Sequence, residues 1–430
     1  MNPMKIHKPK QGLAGAITIP GDKSISHRAV MLGALAHGKT KITNFLTGED
    51  CLCTAKAFQE MGIGIEGMGT DKVTVYGNGL HGLQEPKRIL DMGNSGTSMR
   101  LMSGILSAQP FFSILTGDSS LCSRPMDRVV KPLKMMGAVI HGRENAKFPP
   151  LAIIGQPLRS IHYNSPVASA QVKSCVLLAG LFTKGTTSVA EPALSRNHTE
   201  NMLRYMGAEL VTEGTTVKMK GLQELNGVNI HVPGDISSAA FFLAAGLLVP
   251  DSKITLKNVG INETRTGILD ALNMMGAEIK YKNIKNTHFE PVADLVVQTC
   301  KLLPVELSGD IIPRIIDEIP ILVVLATQAN GTTVIRNARE LRVKETDRIK
   351  TIYAEFTKMG ANIEELEDGL IIHGPTPLKG AEVISHGDHR IAMSLAIAGL
   401  IAQGKTTIED TACIKTSFPN FQHLLHELGA

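Results

Sequence analysis

The sequence predicts a two-domain α/β protein with buried helices and outward-facing sheets, and three patterns carry that prediction. Six times a helical run stops at a glycine and an apolar strand begins: "FQEMGIGIE", "LKMMGAVIH", "LRYMGAELV", "LNMMGAEIK", "FTKMGANIE" and the terminal "LHELGA". Glycine just past the last helical turn is the expected left-handed cap, so the chain reads as six similar units. The segments "GKTKITNF", "GTTSVAEP", "DSKITLKN", "GTTVIRNA" and "GKTTIEDT", with a weaker version at "FSILTGDS", alternate polar and apolar residues. That is the pattern of strands with one wet face. The helical runs ahead of those strands, such as "SSAAFFLAAGLL" and "HRIAMSLAIAGLIA", are apolar almost all round, which requires burial on every side. Buried helices beside half-wet strands invert the usual doubly wound order, in which the strands are central.

Along the chain, the buried helices are expected to start near Lys23, Gly96, Ser169, Ser237, Glu318 and His389. At 430 residues the chain exceeds one ordinary core. A duplicated segment, "IPGDKSISHRAVMLGAL" at 19–35 and "VPGDISSAAFFLAAGLL" at 232–248, places the boundary. One domain runs over 21–234. The other takes 235–430 together with 1–20, which return as an edge strand. The methionines, including the "MMG" pairs, read as flexible core filler.

Composition narrows the function. Charged residues at 20% and hydrophobic ones at 43% describe an ordinary soluble globular protein. The net charge is +4, the basic residues are scattered, Trp is absent and aromatics make up 4%. Nucleic acid and membrane surfaces are therefore excluded as partners. No apolar run spans a bilayer and no signal peptide precedes the first unit, so a cytoplasmic location is expected. The six cysteines are dispersed and read as reduced thiols, with no metal and no cofactor expected. Because the repeats bury their own faces, a monomer is expected.

The polar exceptions gather at helix starts. "GDKSISHR" offers Lys23, Ser24 and Arg28 beside free backbone N–H groups, an anion-binding combination. "DMGNSGTSMR" offers Asn94, Gly96, Thr97 and Arg100; "SPVASAQVKS" offers Ser169, Gln171 and Lys173. "LRVKETDRIK" places Lys344, Glu345 and Arg348 in one turn, "HGDHRIAM" gives His389 and Arg390, and "CIKTSFP" gives Lys415; Arg124 stands in "SSLCSRPMDR". None of these is a polyphosphate-gripping Walker loop. They suit several separate phosphate or carboxylate groups. Asp317 and Glu318 stand at the edge of a buried helix, and Glu345 lies among cations, where a carboxylate is ionised at neutral pH. The chemistry read from the residues is metal-free acid–base work on small anions.

In combination and in order, "PGDKSISHR", "GNSGTSMR", "SRPMDR", "ASAQVKS", "LRVKETDRI" and "GDHRIAM" resemble the enolpyruvyl transferases over essentially the whole chain. The similarity is to the branch acting on shikimate 3-phosphate, and "ASAQVKS" and "EPALSRNHTENML" resemble its bacterial class II. The resemblance implies an inside-out fold of two domains, each with three βαβαββ units, and helix N-termini facing an interdomain cleft. It implies transfer of the enolpyruvyl group of phosphoenolpyruvate to the 5-hydroxyl of shikimate 3-phosphate, with release of phosphate, in the biosynthesis of chorismate and aromatic amino acids. Carried over by motif, Lys23, Ser24, Arg28, Ser169, Ala170, Gln171, Arg196, Asp317 and Lys344 would hold shikimate 3-phosphate. Lys23, Asn94, Gly96, Arg124, Gln171, Arg348, His389, Arg390 and Lys415 would hold phosphoenolpyruvate. Lys23, Asp317 and Glu345 would be catalytic: Asp317 for the hydroxyl proton, Glu345 for the proton at C3, Lys23 for the leaving phosphate.

The class I pattern has Ser where Ala170 stands, so any phosphate contact at Ala170 comes from its backbone N–H. Glyphosate is an implied inhibitor, because Gly96 stands where tolerant members carry Ala. The sibling reaction on UDP-N-acetylglucosamine usually has Lys-Asn in place of Lys23-Ser24 and a reactive Cys in the loop before the equivalent of Arg124. Cys122 does not match that loop. An RNA-end cyclase would need a nucleophilic His and nucleotide-binding features that the sequence lacks, and a scaffold protein would have lost charges from these motifs.

Overall fold

In the computed structural model, which describes residues 3–287 and 289–430, each glycine stop is a left-handed cap. Gly62, Gly137, Gly207, Gly276, Gly360 and Gly429 have φ of 83°, 99°, 104°, 81°, 85° and 96°. The amide after each glycine bonds back five residues: Ile63 N–H to the Phe58 carbonyl at 3.0 Å, and likewise Ala138 to Leu133, Ala208 to Leu203, Ala277 to Leu272, Ala361 to Phe356 and Ala430 to Leu425. This is the Schellman closure, and it satisfies carbonyls that would otherwise end the helix unpaired.

The inner helices are Lys23–Leu35, Gly96–Leu106, Ala170–Gly180, Ile236–Leu248, Ile319–Ala326 and His389–Ile401. Their starts fall within a residue of those expected from sequence. Side-chain caps explain the sharpness: Asp22, Ser95, Ser169, Asp235 and Asp388 each accept a first-turn N–H, worth about 1 kcal/mol apiece. The Ile319 helix has no side-chain cap and carries Pro320 in its first turn instead. Every residue of the Ile319 helix is buried, as is all of the Ile236 helix except Leu248. The outer helices Glu49–Glu60, Asp127–Met135, His198–Tyr205, Gly267–Met274, Arg348–Lys358 and Phe421–Glu427 bury one face only.

Among the described residues the strands form five four-stranded sheets and one three-stranded sheet. In the second repeat Leu90–Asp91 pairs in parallel with Phe112–Thr116, which pairs antiparallel with Phe148–Ile154 and that with Val139–Gly142. With its two helices this is a βαβαββ unit, and the third and fifth repeats copy it.

The strands leading into the two "PGD" turns change sheets. Ala14–Thr18 directly precedes the Lys23 helix, yet it pairs with Lys253–Gly260 in the fourth repeat. Asn229–His231 directly precedes the Ile236 helix, yet it pairs with His37–Thr43 in the first. Gly21 is required at its turn, since a Cβ there would sit 1.9 Å from the Asn44 carbonyl oxygen. Residues 1–20 were expected to supply one edge strand. The structure has two, because Met4–His7 also pairs antiparallel with Lys405–Glu409 in the sheet of the sixth repeat.

The chain divides into two compact units. One comprises the chain through Pro20 with Pro233–Thr287 and Pro291–Ala430; the other comprises Gly21–Val232 and a short return at Glu290. Each has its own hydrophobic core. No helix among the described residues is long and apolar enough to cross a membrane.

Candidate active site

In the Gly21–Val232 unit, the three inner-helix starts carry the expected cations. Lys23 is half-buried and pairs with Asp50 at 3.0 Å; Ser24 gives its carbonyl to Arg28 Nη1 at 2.9 Å. The Arg28 guanidinium is buried, donating from Nε to Thr199 Oγ1 at 2.6 Å and from Nη2 to Ser174 Oγ at 2.8 Å. Burial, partly offset by the charges of Glu200 and Asp22 and reinforced by that of Arg196, lowers its pKa to about 10. Arg28 and Arg196 therefore lie in each other's field. The same burial, with Lys23 and Arg28 nearby, holds the His27 imidazole neutral by pushing its pKa well below the usual value.

At the Gly96 helix, Arg124 donates to the Asn94 side chain at 2.6 Å and to Ser120 Oγ at 3.1 Å. Arg100 Nη1 donates to Gln171 Oε1 at 2.7 Å, and Gln171 Nε2 donates to Thr97 Oγ1 at 3.0 Å. A Cβ on Gly96 would stand 3.1 Å from Arg100 Nη1 and 3.5 Å from Arg124 Nη1. Two guanidinium groups thus flank one helix N-terminus, which concentrates positive potential there. Ser169 caps the third helix, and Ala170 and Gln171 form its first turn.

The other unit gathers the carboxylates. Arg348 is 1% exposed and bonds Asp388 Oδ2 through Nε at 2.7 Å and Glu345 Oε2 through Nη2 at 2.6 Å, with Asp317 Oδ1 3.6 Å from Nη1. Lys344 Nζ lies 3.5 Å from Asp317 Oδ1, and Arg390 Nη1 donates to the Asp317 carbonyl at 3.0 Å. His389, buried, and Arg390 begin the His389 helix, whose cap, Asp388, also accepts the Arg390 N–H at 2.9 Å. Lys415 is exposed on the short turn Thr411–Thr416. The structure thus forms two clusters, one per unit, of the predicted residues.

A family model described as EPSP synthase (3-phosphoshikimate 1-carboxyvinyltransferase) matches residues 7–425. The chain belongs to the EPSP synthase family. It is 57% identical over 429 residues to a Bacillus cereus protein named 3-phosphoshikimate 1-carboxyvinyltransferase, covering 100% of both chains. A Bacillus thuringiensis protein of that name is 58% identical over 417 residues, 97% of each chain. A solved EPSP synthase from Acinetobacter baumannii is 46% identical with a TM-score of 0.88, covering 100% of this chain and 98% of that one. The enolpyruvyl transferase NikO from Streptomyces tendae, 20% identical with a TM-score of 0.80 over 100% of this chain and 98% of that one, shares the fold. The expected inside-out α/β architecture is that of this family.

Two details of the EPSP synthase motifs differ from the sequence reading. Lys344, Glu345 and Arg348 do not share a turn: Lys344 is extended after the turn Arg339–Val343, and Asp347 caps a helix that begins at Arg348. That helix is an outer one, so Arg348 is not the fifth repeat's counterpart of Lys23; Glu318 holds that place, bonding buried Ser237 and lying 3.8 Å from Arg265. Lys173, read as an anion contact, is instead held between Glu191 and Glu200. Asp50, Glu191, Glu200 and Arg265 went unnoticed in the sequence because the ion partner of each lies far along the chain.

Proposed function

We propose that this chain transfers the enolpyruvyl group of phosphoenolpyruvate to the 5-hydroxyl of shikimate 3-phosphate, releasing phosphate by addition and elimination. Family membership over residues 7–425 supports the reaction. The observation that carries the assignment to residues is the division of charge. The Gly21–Val232 unit presents cations at helix starts; the other presents Asp317 and Glu345 held by Lys344 and Arg348. The first set suits phosphate and carboxylate groups, and the second suits proton transfer.

Shikimate 3-phosphate is taken by Lys23, Ser24, Arg28, Ser169, Gln171, Arg196 and the Ala170 backbone, with Asp317 and Lys344 at its hydroxyls. Phosphoenolpyruvate is taken by Lys23, Asn94, Arg124, Gln171, Arg348, His389, Arg390 and Lys415, with Gly96 leaving it room. Asp317 orients or deprotonates the 5-hydroxyl, and Glu345 delivers and later removes the proton at C3. Lys23 assists departure of phosphate. The fixed cations stabilise charge that develops on the tetrahedral ketal phosphate. Incubation with both substrates is expected to release phosphate stoichiometrically with enolpyruvyl product; no release with the pair defeats the reading.

The same reading takes the enzyme as cytoplasmic, monomeric and inhibited by glyphosate in competition with phosphoenolpyruvate. Gly96→Ala adds a methyl 3.1 Å from Arg100 Nη1. We expect glyphosate inhibition to weaken at least about tenfold and KM for phosphoenolpyruvate to rise, the effect of one methyl group in a fitted pocket. KM for shikimate 3-phosphate stays unchanged. Equal sensitivity of Gly96→Ala and the wild type contradicts the placement of Gly96 at the phosphoenolpyruvate subsite.

A further inference from the structure

Arg28, Ser169 and Arg196 come from three separate elements, and a buried ion cluster that contains none of them ties them together. Lys173 is 1% exposed on the inner face of the Ala170 helix. Its ammonium meets Glu191 Oε2 at 2.9 Å and Glu200 Oε1 at 2.8 Å, and donates to the Ser195 carbonyl at 3.3 Å. Glu191 then spends both oxygens on the site: Oε1 accepts the Ser169 backbone N–H at 2.8 Å and Oε2 accepts Ser195 Oγ at 2.7 Å. One ammonium therefore fixes the N-cap of the Ala170 helix and the residue before Arg196.

Arg28 is secured by the neighbours of two of the same three residues. Its donors go to Ser174, next to Lys173, and to Thr199, next to Glu200, and those two hydroxyls bond each other at 2.7 Å. Lys173 with two carboxylates leaves one uncompensated negative charge, and the nearby Arg28 balances it. Burying such a cluster adds little stability over apolar residues of similar volume. What it does supply is fixed geometry, and all of that geometry converges on one subsite.

We propose that Lys173, Glu191 and Glu200 are positioning residues for shikimate 3-phosphate: they set the Ser169 cap and the Arg196 loop and anchor the charge of Arg28. This rests on the functional reading above. It predicts an effect confined to one substrate, which a role in folding alone does not produce.

The test compares Glu191→Leu, Glu191→Gln and the charge-balanced Lys173→Met/Glu191→Gln variant with wild type. The readouts are KM for each substrate, direct calorimetric binding of shikimate 3-phosphate, and thermal unfolding. Glu191→Leu is expected to raise KM and the dissociation constant for shikimate 3-phosphate about tenfold or more, the loss of a buried hydrogen bond. KM for phosphoenolpyruvate stays within about twofold, since Gln171, shared by both subsites, keeps its bonds to Arg100 and Thr97 and the other residues assigned to that subsite touch none of the three positioning residues. Glu191→Gln retains an acceptor for the Ser169 N–H but turns an amide donor toward Lys173, so it recovers only part of the loss. Lys173→Met/Glu191→Gln removes one charge of each sign and leaves Glu200 to balance Arg28, so the buried charge stays compensated, the variant folds, and its shift falls on shikimate 3-phosphate.

Equal shifts in both KM values, or unchanged binding of shikimate 3-phosphate in Glu191→Leu, overturns the inference while leaving the enzyme's assignment intact. A wild type that neither binds nor turns over shikimate 3-phosphate overturns the assignment and the inference with it.

Discussion

Glu345→Gln is expected to lower kcat at least about a thousandfold, within the range for losing a general acid–base group, while shikimate 3-phosphate binds almost as before. Glu345 Oε2 accepts Arg348 Nη2 at 2.6 Å. Glutamine keeps an oxygen for that bond and the same shape, so Arg348 loses a charge partner but not its contact. What glutamine lacks is a carboxyl group able to give a proton to C3 and take one back. Exchange of the phosphoenolpyruvate methylene hydrogens in deuterated water, in the presence of shikimate 3-phosphate, should fall with kcat. Calorimetry checks the other half of the expectation. If shikimate 3-phosphate binding disappears together with turnover, Glu345 holds the site together and does not move the proton.

The parts of the fold that were legible in sequence are those set by local chemistry. Asp22, Ser95, Ser169, Asp235 and Asp388 cap their own helices, and the glycines at 62, 137, 207, 276, 360 and 429 end them with left-handed backbone. Such signals lie within a turn of what they control. The exchange of Ala14–Thr18 and Asn229–His231 between repeats was not legible residue by residue, because strands this short fit several sheets equally well. Met4–His7 was missed for the same reason.

Within the site, the cations were legible but their partners were not. A lysine at a helix start looks the same whether it faces a ligand, as proposed for Lys23, or two buried carboxylates, as Lys173 does. Arg100 was visible in "GNSGTSMR", but only the fold shows it gripping Gln171 beside Gly96. Periodicity reports which face is buried. It does not report which buried charges meet.

Arg348 is where that distinction has its largest energetic consequence, and Arg348→Met is expected to cost about 3–5 kcal/mol of stability, the usual penalty for removing one partner of a buried ion pair. Burial disfavours the charge of Arg348, but Asp388 first, then Glu345 and Asp317, outweigh it and raise its pKa above the ordinary guanidinium value. A raised cationic pKa gives stability that is fully present below the unfolded value and lost only as pH rises through the folded one. The contribution therefore holds throughout the neutral range. Removing the cation leaves Asp388 fully buried without its partner. Arg348→Lys keeps the charge but cannot span Asp388 Oδ1, Asp388 Oδ2 and Glu345 with one planar fork. It should recover much of the stability and little of the activity, because Asp388 also caps the helix that presents Arg390. Urea midpoints and kcat measured on both variants separate the two effects. A methionine variant as stable as wild type, or a lysine variant with full turnover, shows that Arg348 neither closes this cluster nor aligns its carboxylates for the reaction.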